Sequence, residues 1–319
     1  MAIKDLKTSV SSLILGLAVG DALGVPVEFR SRGSFRVDSM QGYGSHNQPP
    51  GTWSDDTSLA LCLVDSLARG FAPEDIARNF ILWHDTGAFT AHGQVFDIGI
   101  STARAINRLK EGIAPKKAGC IGENENGNGS LMRIAPLVFC LVDRPKLERF
   151  ITTKTVSSIT HAHEWSVTAC FIYIEYLLKL LGGMEKKAAY KELQADFGFQ
   201  EDCYDHGNRY LGKDTLEKFS RILWSDIDAL PETDIKSGGF VIDTLEAALW
   251  CFLTTNNYRD AVLKAVNLGD DTDTTAAVTG ALAGIAYGLK GIPPGWLAKL
   301  ASYKDIRRLA GAMSDALAA

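Results

Sequence analysis

Apolar residues recur at helical spacing along most of the chain. Leu59, Leu63 and Leu67 fall on one face, Ile172, Tyr176 and Leu180 on a second, and Leu245, Leu249 and Leu253 on a third, the spacing that stacks side chains on one side of an α-helix. Alternation with a period of two, as a half-buried strand requires, is scarce. The pattern predicts an all-α fold. Two glycine- and proline-rich stretches, Gly42 to Gly51 and Ile121 to Gly129, lie between helical segments. Neither has the length or low complexity of a linker, so both are expected to be functional loops on one scaffold.

Two helices carry glycine every four residues: Gly16, Gly20 and Gly24 near the start, Gly280, Gly284 and Gly288 near the end. Glycine inside a helix costs about 0.5 to 1 kcal/mol relative to alanine, so three per helix imply that a second backbone comes close. Either each stripe merely packs against any neighbouring core helix, or the two stripes flank a shared site.

Composition narrows the setting. The chain has 319 residues, 46% of them hydrophobic, and one compact domain over 1–319 is expected. With 33 Lys and Arg against 38 Asp and Glu, the charge of −5 offers no general electrostatic grip on nucleic acid or anionic lipid, so neither is an expected partner. The six cysteines, Cys62, Cys120, Cys140, Cys170, Cys203 and Cys251, form no CxxC pair and sit in apolar patterns, as thiols in a reducing compartment would. Lys4, Asp5 and Lys7 precede an apolar run that Asp21 interrupts. That fits neither a signal peptide nor a membrane span, and a cytoplasmic protein is expected.

The candidate chemistry lies in two acidic clusters. In WSDDTSLALCLVDSL, Ser54, Asp55, Asp56 and Thr57 stand before an apolar face that begins at Leu59; in NLGDDTDTTAAVTG, Asp270, Asp271, Asp273 and Thr274 head the second glycine-striped helix. One carboxylate in a first turn is explained by capping and by the helix dipole. Five aspartates in two short segments repel one another unless cations neutralise them. Oxygen donors without His or Cys at ligand spacing favour Mg²⁺ or Mn²⁺ over zinc. Register excludes an EF-hand, because the twelfth position from Asp270 or Asp271 is Ala281 or Leu282 where a glutamate is required. Asp271, Asp273 and Thr275 also spell DxDxT, the nucleophile loop of haloacid-dehalogenase-like phosphatases. There it follows a buried strand, whereas here AVLKAVNLG before it has helical spacing.

Taken in order, GLAVGDALGVPVEF, WSDDT, FDIG, GNGSLMRIAPL, ITHAH and NLGDDTDTTAAVTGALAGIAYG resemble the ADP-ribosylglycohydrolase family over residues 16–288. The resemblance implies a compact, single-domain orthogonal helical bundle with a binuclear Mg²⁺ or Mn²⁺ site at helix N-termini. Its implied ligands are Ser54, Asp55, Asp56, Asp271, Asp273 and Thr274. Ser54 stands where Thr is more usual and keeps the hydroxyl; Asp270 stands where many members have Gly and is left out. Glu28 matches an acidic residue near the substrate ribose, although on its own it reads as a solvated loop carboxylate. Asp21 would support the site from the striped helix. Gly127, Asn128, Gly129 and Ser130 match a loop at the distal ribose and phosphates, with Arg133 as added charge and LMRIAPLVF as a helix behind it. His161 matches a histidine touching ADP-ribose, whereas His163 has no counterpart. Phe240 matches an aromatic stacked on adenine. Asp97 matches a carboxylate near the guanidinium in arginine-directed members, or else caps the helix through Ile106.

The implied catalytic carboxylates are therefore Glu28, Asp56, Asp97 and Asp271. The implied reaction is hydrolysis at the anomeric carbon of the distal ribose. Three readings stay open. One is a hydrolase for ADP-ribose linked to arginine on a protein, with a cognate ADP-ribosyltransferase as a further partner. Another is the same fold acting on O-linked ADP-ribose, on serine or as an ester. The third is an immunity or regulatory protein that blocks an ADP-ribosylating toxin by binding it. Residues 186–232, polar and least family-like, are either an ordinary helical insertion or the place for specificity or partner contacts.

Overall fold

The computed structural model describes residues 6–198, 204–205, 208–209 and 211–319. In chain order its helices are α1 (Leu6–Gly24), α2 (Asp55–Leu67), α3 (Pro73–Thr86), α4 (Ile100–Lys110), α5 (Pro115–Ala118), α6 (Leu131–Ile134), α7 (Lys146–Ser157), α8 (Glu164–Leu181), α9 (Lys186–Gly198), α10 (Lys213–Lys218), α11 (Ser220–Leu223), α12 (Val241–Leu253), α13 (Tyr258–Val266), α14 (Thr272–Tyr287), α15 (Pro294–Lys299) and α16 (Tyr303–Ala318). Short 3-10 turns join several of them. Among the described residues the only strands are a two-residue antiparallel pair, Tyr204–Asp205 with Asn208–Arg209. All nine residues of the three predicted apolar faces are buried, in a hydrophobic cluster that runs from Val10 to Met313.

α1 and α14 form the centre, and α14 is the main neighbour of α1. The glycine stripes pack against each other. A methyl carbon built on Gly16 would stand 3.1 Å from Gly284 Cα, one on Gly280 3.0 Å from the Gly16 carbonyl carbon, and one on Gly20 2.6 Å from that of Ala276. Only glycine permits so close an approach. The Tyr258 hydroxyl donates to the Gly16 carbonyl at 2.6 Å and that of Tyr173 to Val278 at 2.8 Å, which pins the pair. Gly288 departs from the expectation: it ends α14 with φ of +68° and nothing packs on it. Leu6–Val27 is long and apolar enough to cross a membrane by length and composition, yet from Val10 onward it is buried inside the fold.

A second departure lies at LMRIAPLVF. α6 stops at Ile134 and a 3-10 turn carries the chain from Ala135 to Cys140, because Pro136 has no N–H to continue an α-helix. Residues 186–232 form α9 to α11 and short turns, with 199–203, 206–207 and 210 outside the described residues. Cys62, Cys120, Cys170 and Cys251 are free and buried and Cys140 is free and half-buried; Cys203 lies outside the described residues.

Candidate active site

The N-termini of α2 and α14 meet beside α1. Ser54 caps α2, and its own amide donates to Asp21 Oδ1 at 2.9 Å. The Thr57 amide and hydroxyl donate to Asp21 Oδ2 at 3.0 and 2.6 Å. Asp21, fully buried on α1 next to Gly20, thus holds the turn that carries Asp55 and Asp56, the supporting place expected for it. Burial pushes its carboxyl up to about 6 against those hydrogen bonds.

From α14, the Thr274 hydroxyl donates to Asp56 Oδ2 at 3.3 Å, and Ser54 Oγ donates to the same oxygen at 3.2 Å. Asn128 Nδ2 donates to Asp271 Oδ2 at 2.8 Å and to Thr244 Oγ1 at 2.9 Å. These bonds leave Asp56 Oδ1, Asp271 Oδ1 and Asp273 Oδ2 buried without a partner. Capping would have satisfied them, and Asp271 makes no side-chain cap to its own helix. Burial and mutual repulsion raise Asp55, Asp56 and Asp273 well above the usual carboxylate range, and burial raises Asp271. Unpaired buried carboxylate oxygens are costly unless cations meet them, so the donor set fits hard divalent metal ions.

Glu28 joins this group from the loop after α1. Its carboxylate lies within 4.8 Å of those of Asp271 and Asp273, and by the same measure of His46 and Asp97. It is 4% exposed, which removes the solvated-loop reading. Burial pushes it up to about 8, with the charges of Asp97 and Asp271 adding and the His46 hydrogen bond opposing. Asp97 has φ of +52°, and α4 begins at Ile100 with Gly99 as its cap, so Asp97 is no helix cap. The Asp270 backbone accepts from the Phe29 amide at 2.7 Å and donates to Arg30 at 2.9 Å while its side chain is exposed. Arg32 ties the surroundings together. It donates to the carbonyls of Leu268 at 2.8 Å and of Glu232 and Ile235 at 2.5 Å each, so the segments leading to Asp271 and Phe240 share one guanidinium with the loop of Glu28.

The Gly127–Ser130 loop lies on the other side of Asp271. Gly127 bridges to Phe240, and the Asn128 amide donates to Gly239 at 3.0 Å. Phe240 starts α12, is 38% exposed and meets Trp165 edge-on at 6.2 Å between ring centres. Both rings line a cavity of about 500 Å³ with Asn126, Gly127 and Gly239. Of three residues placed around the loop, Arg133 corrects the expectation of added charge. The Ser130 side chain turns inward, within 3.4 Å of Cys170 Sγ and accepting from Ser157 Oγ at 3.0 Å, so only its backbone faces the loop. Arg133 is wholly buried, donating to Thr160 Oγ1 at 2.7 Å with its guanidinium over Phe80, three residues after Ser130 on the same buried face of the α6 turn. His161 is buried beneath the loop, where a methyl on Gly129 would stand 2.8 Å from its Cε1; burial and Arg133 push it down to about 3, so it is neutral. His163 caps α8 by accepting from the Trp165 amide at 3.2 Å.

Sequence reasoning missed His46, whose ring bonds Glu28 Oε2, and Trp165. His46 sits in the Gly42–Gly51 loop already singled out as functional; Trp165 carried no signal beyond its helix.

Fold and site define a class: an all-helical enzyme whose acidic residues could hold a metal ion. A family model described as ADP-ribosylglycohydrolase matches residues 3–319. Relatives include ADP-ribosylarginine hydrolase Tri1 of Pseudomonas putida (strain GB-1), 35% identical over 95% of this chain and 76% of its own. ADP-ribosyl-[dinitrogen reductase] glycohydrolase of Rhodospirillum rubrum is 31% identical over 94% of this chain and 93% of its own. A solved structure titled ADP-ribosylglycohydrolase-related protein complex superposes with a TM-score of 0.79 at 34% identity, covering 98% of this chain and 99% of that one. The chain belongs to the ADP-ribosylglycohydrolase family and is a hydrolase that removes ADP-ribose from modified macromolecules.

Proposed function

We propose that this enzyme cleaves the N-glycosidic bond between ADP-ribose and an arginine side chain of a protein. The observation that carries the reading is the position of Glu28, whose carboxylate adjoins both the unpartnered aspartates and the Asp97 carboxylate. Ser54, Asp55, Asp56, Asp271, Asp273 and Thr274 would hold two Mg²⁺ or Mn²⁺ ions. Such ions, when bound, fix ribose hydroxyls and lower the pKa of a bound water.

The chain's own groups do the rest. Asn128 and Thr244 orient Asp271, Asp21 fixes the turn of Asp55 and Asp56, and Gly127 lines the space beside the Phe240 and Trp165 rings that would take the nucleotide, with Gly129 and the Ser130 backbone continuing the loop toward the diphosphate. His161 stays neutral as the floor of that loop. Asp97 and Glu28 face the leaving side, where carboxylates suit a cationic group. In the reaction, water oxygen bonds to the anomeric carbon and the C–N electron pair goes to the guanidine nitrogen, which takes up a proton. The relatives named for arginine and for dinitrogen reductase favour a protein substrate, with a cognate ADP-ribosyltransferase acting before this enzyme. Free buried thiols favour a cytoplasmic setting.

The test is release of ADP-ribose from matched arginine-, serine- and ester-linked substrates, with and without Mg²⁺ or Mn²⁺. Metal-dependent release from arginine is expected; release from serine or ester alone would replace the linkage, and inhibition of an ADP-ribosylating toxin by a release-dead metal-site variant would reveal a second, binding role beside the hydrolase.

A further inference from the structure

Aromatic rings stand at both ends of the acidic site. At one end Phe240 and Trp165 connect to Asp271 through Asn128, and at the other Phe29 and Phe96 flank the His46 ring that bonds Glu28. Ring centres are 5.7 Å apart from Phe29 to His46 and 5.3 Å from His46 to Phe96. Phe29 is 70% exposed and holds a left-handed backbone with φ of 64°, where a bulky residue is strained. Its N–H donates to the Asp270 carbonyl at 2.7 Å, which keeps it there. A large ring held at the mouth against both water and backbone preference needs a reason beyond packing.

The nucleotide is the long part of ADP-ribose and suits the Gly127 loop, so the group cleaved from it leaves toward Glu28. We propose that Phe29, His46 and Phe96, with the Asp97 carboxylate, form the leaving-group subsite and that it receives a planar cation, the guanidinium and aliphatic stem of the modified arginine. The inference rests on the arginine linkage proposed above. Ring faces attract a guanidinium and cover its stem, while the carboxylate supplies the countercharge. A small neutral serine would use none of these rings.

The experiment compares wild type with Phe96→Leu, the double variant Phe29→Leu/Phe96→Leu, and Phe96→Tyr. It measures kcat and KM on an ADP-ribosyl-arginine peptide, and calorimetric binding of free ADP-ribose, which lacks the leaving group. Leucine keeps apolar bulk without a π face. The double variant is expected to lose about 3- to 30-fold in kcat/KM, mainly through KM, while Phe96→Tyr stays near wild type and ADP-ribose affinity stays within about twofold. Phe96→Leu alone gives a smaller loss of the same kind and decides the matter if the double variant folds poorly. Unchanged kcat/KM in the leucine variants, or equal loss of ADP-ribose affinity, would overturn the subsite while leaving the proposed function intact. A wild type that releases ADP-ribose from serine but never from arginine would remove the proposed function and this subsite with it.

Discussion

Replacing Gly24 by alanine puts a methyl carbon 2.5 Å from the Thr272 carbonyl carbon, against the backbone that leads into Asp273. Non-bonded carbons settle at about 3.5 to 4.0 Å, so the α14 head must retreat by about 1 Å. Gly24 itself has φ of −81°, which alanine accepts, so the strain lies wholly in the contact. Overpacking costs about 1 to 3 kcal/mol, and backbone yields less than a side chain, which places this case near 3. Better helix propensity returns up to about 1 kcal/mol, leaving about 2 kcal/mol of destabilisation. At about 2.1 cal/mol/K per residue, the chain would lose about 3 °C of Tm. Activity should fall far more, by about 100-fold, because a shift of about 1 Å displaces Asp273 and Thr274 together. Gly311→Ala on α16, where an added carbon meets nothing within 4 Å, should instead gain about 1 kcal/mol and keep full activity. Calorimetric melts and turnover of both variants, with excess Mg²⁺, make the comparison. A Gly24→Ala enzyme with wild-type Tm and turnover would refute the claim that the stripe sets the position of the acidic residues.

Asp273→Ala should lower turnover by more than about 100-fold and leave the circular dichroism spectrum unchanged, since it removes a donor atom rather than core; a fully active variant in metal-depleted buffer would contradict the metal reading. In metal-free protein, Glu28 is held at about 8, above its unfolded value, so its contribution is complete below about pH 4.5 and is lost as pH rises toward 8. EDTA-treated protein should therefore lose up to about 1.4 kcal/mol per pH unit between 6.5 and 8 in urea titrations, with Mg²⁺ or Glu28→Gln flattening the slope; a rise in stability over that window would sink the argument. His161 acts with the opposite sign, because its folded value of about 3 lies below the unfolded one and the unfolded chain takes up the proton first. With Mg²⁺ present, its contribution is complete above pH 6.5 and falls as pH drops, by about 2 kcal/mol between 6.5 and 5, relative to His161→Gln; parallel pH curves for the two proteins would show that the ring is not held neutral.

Helices and acidic clusters were legible because their signals are local: periodic leucines mark faces, and too many aspartates for capping mark unpaired charge. The meeting of the two glycine stripes was legible as one of two arrangements, and Gly16, Gly20 and Gly280 settle it through direct backbone contact. What the sequence hid depends on where the chain turns. Ser130 ends a loop that reads as open, yet it and Arg133, three residues on, share a face of the α6 turn that packs on the core. His46 and Glu28 are neighbours only because Gly44, with φ of +60°, lets its loop press on Pro26. Asp97 shows the same limit: capping and substrate-facing roles share one sequence, and only the start of α4 at Ile100 separates them.

The α1 and α14 contact also sets the order of events when the chain is made. Gly24 meets Asp273, about 250 residues later, and at about 5 to 20 residues per second the ribosome needs roughly 10 to 50 s to supply it. Through that interval α1, apolar over most of its length, lacks its main partner, although α2, joined to it through Asp21, is already made. Newly made chains therefore depend on a chaperone or on the parts already folded to shield that helix until α14 arrives.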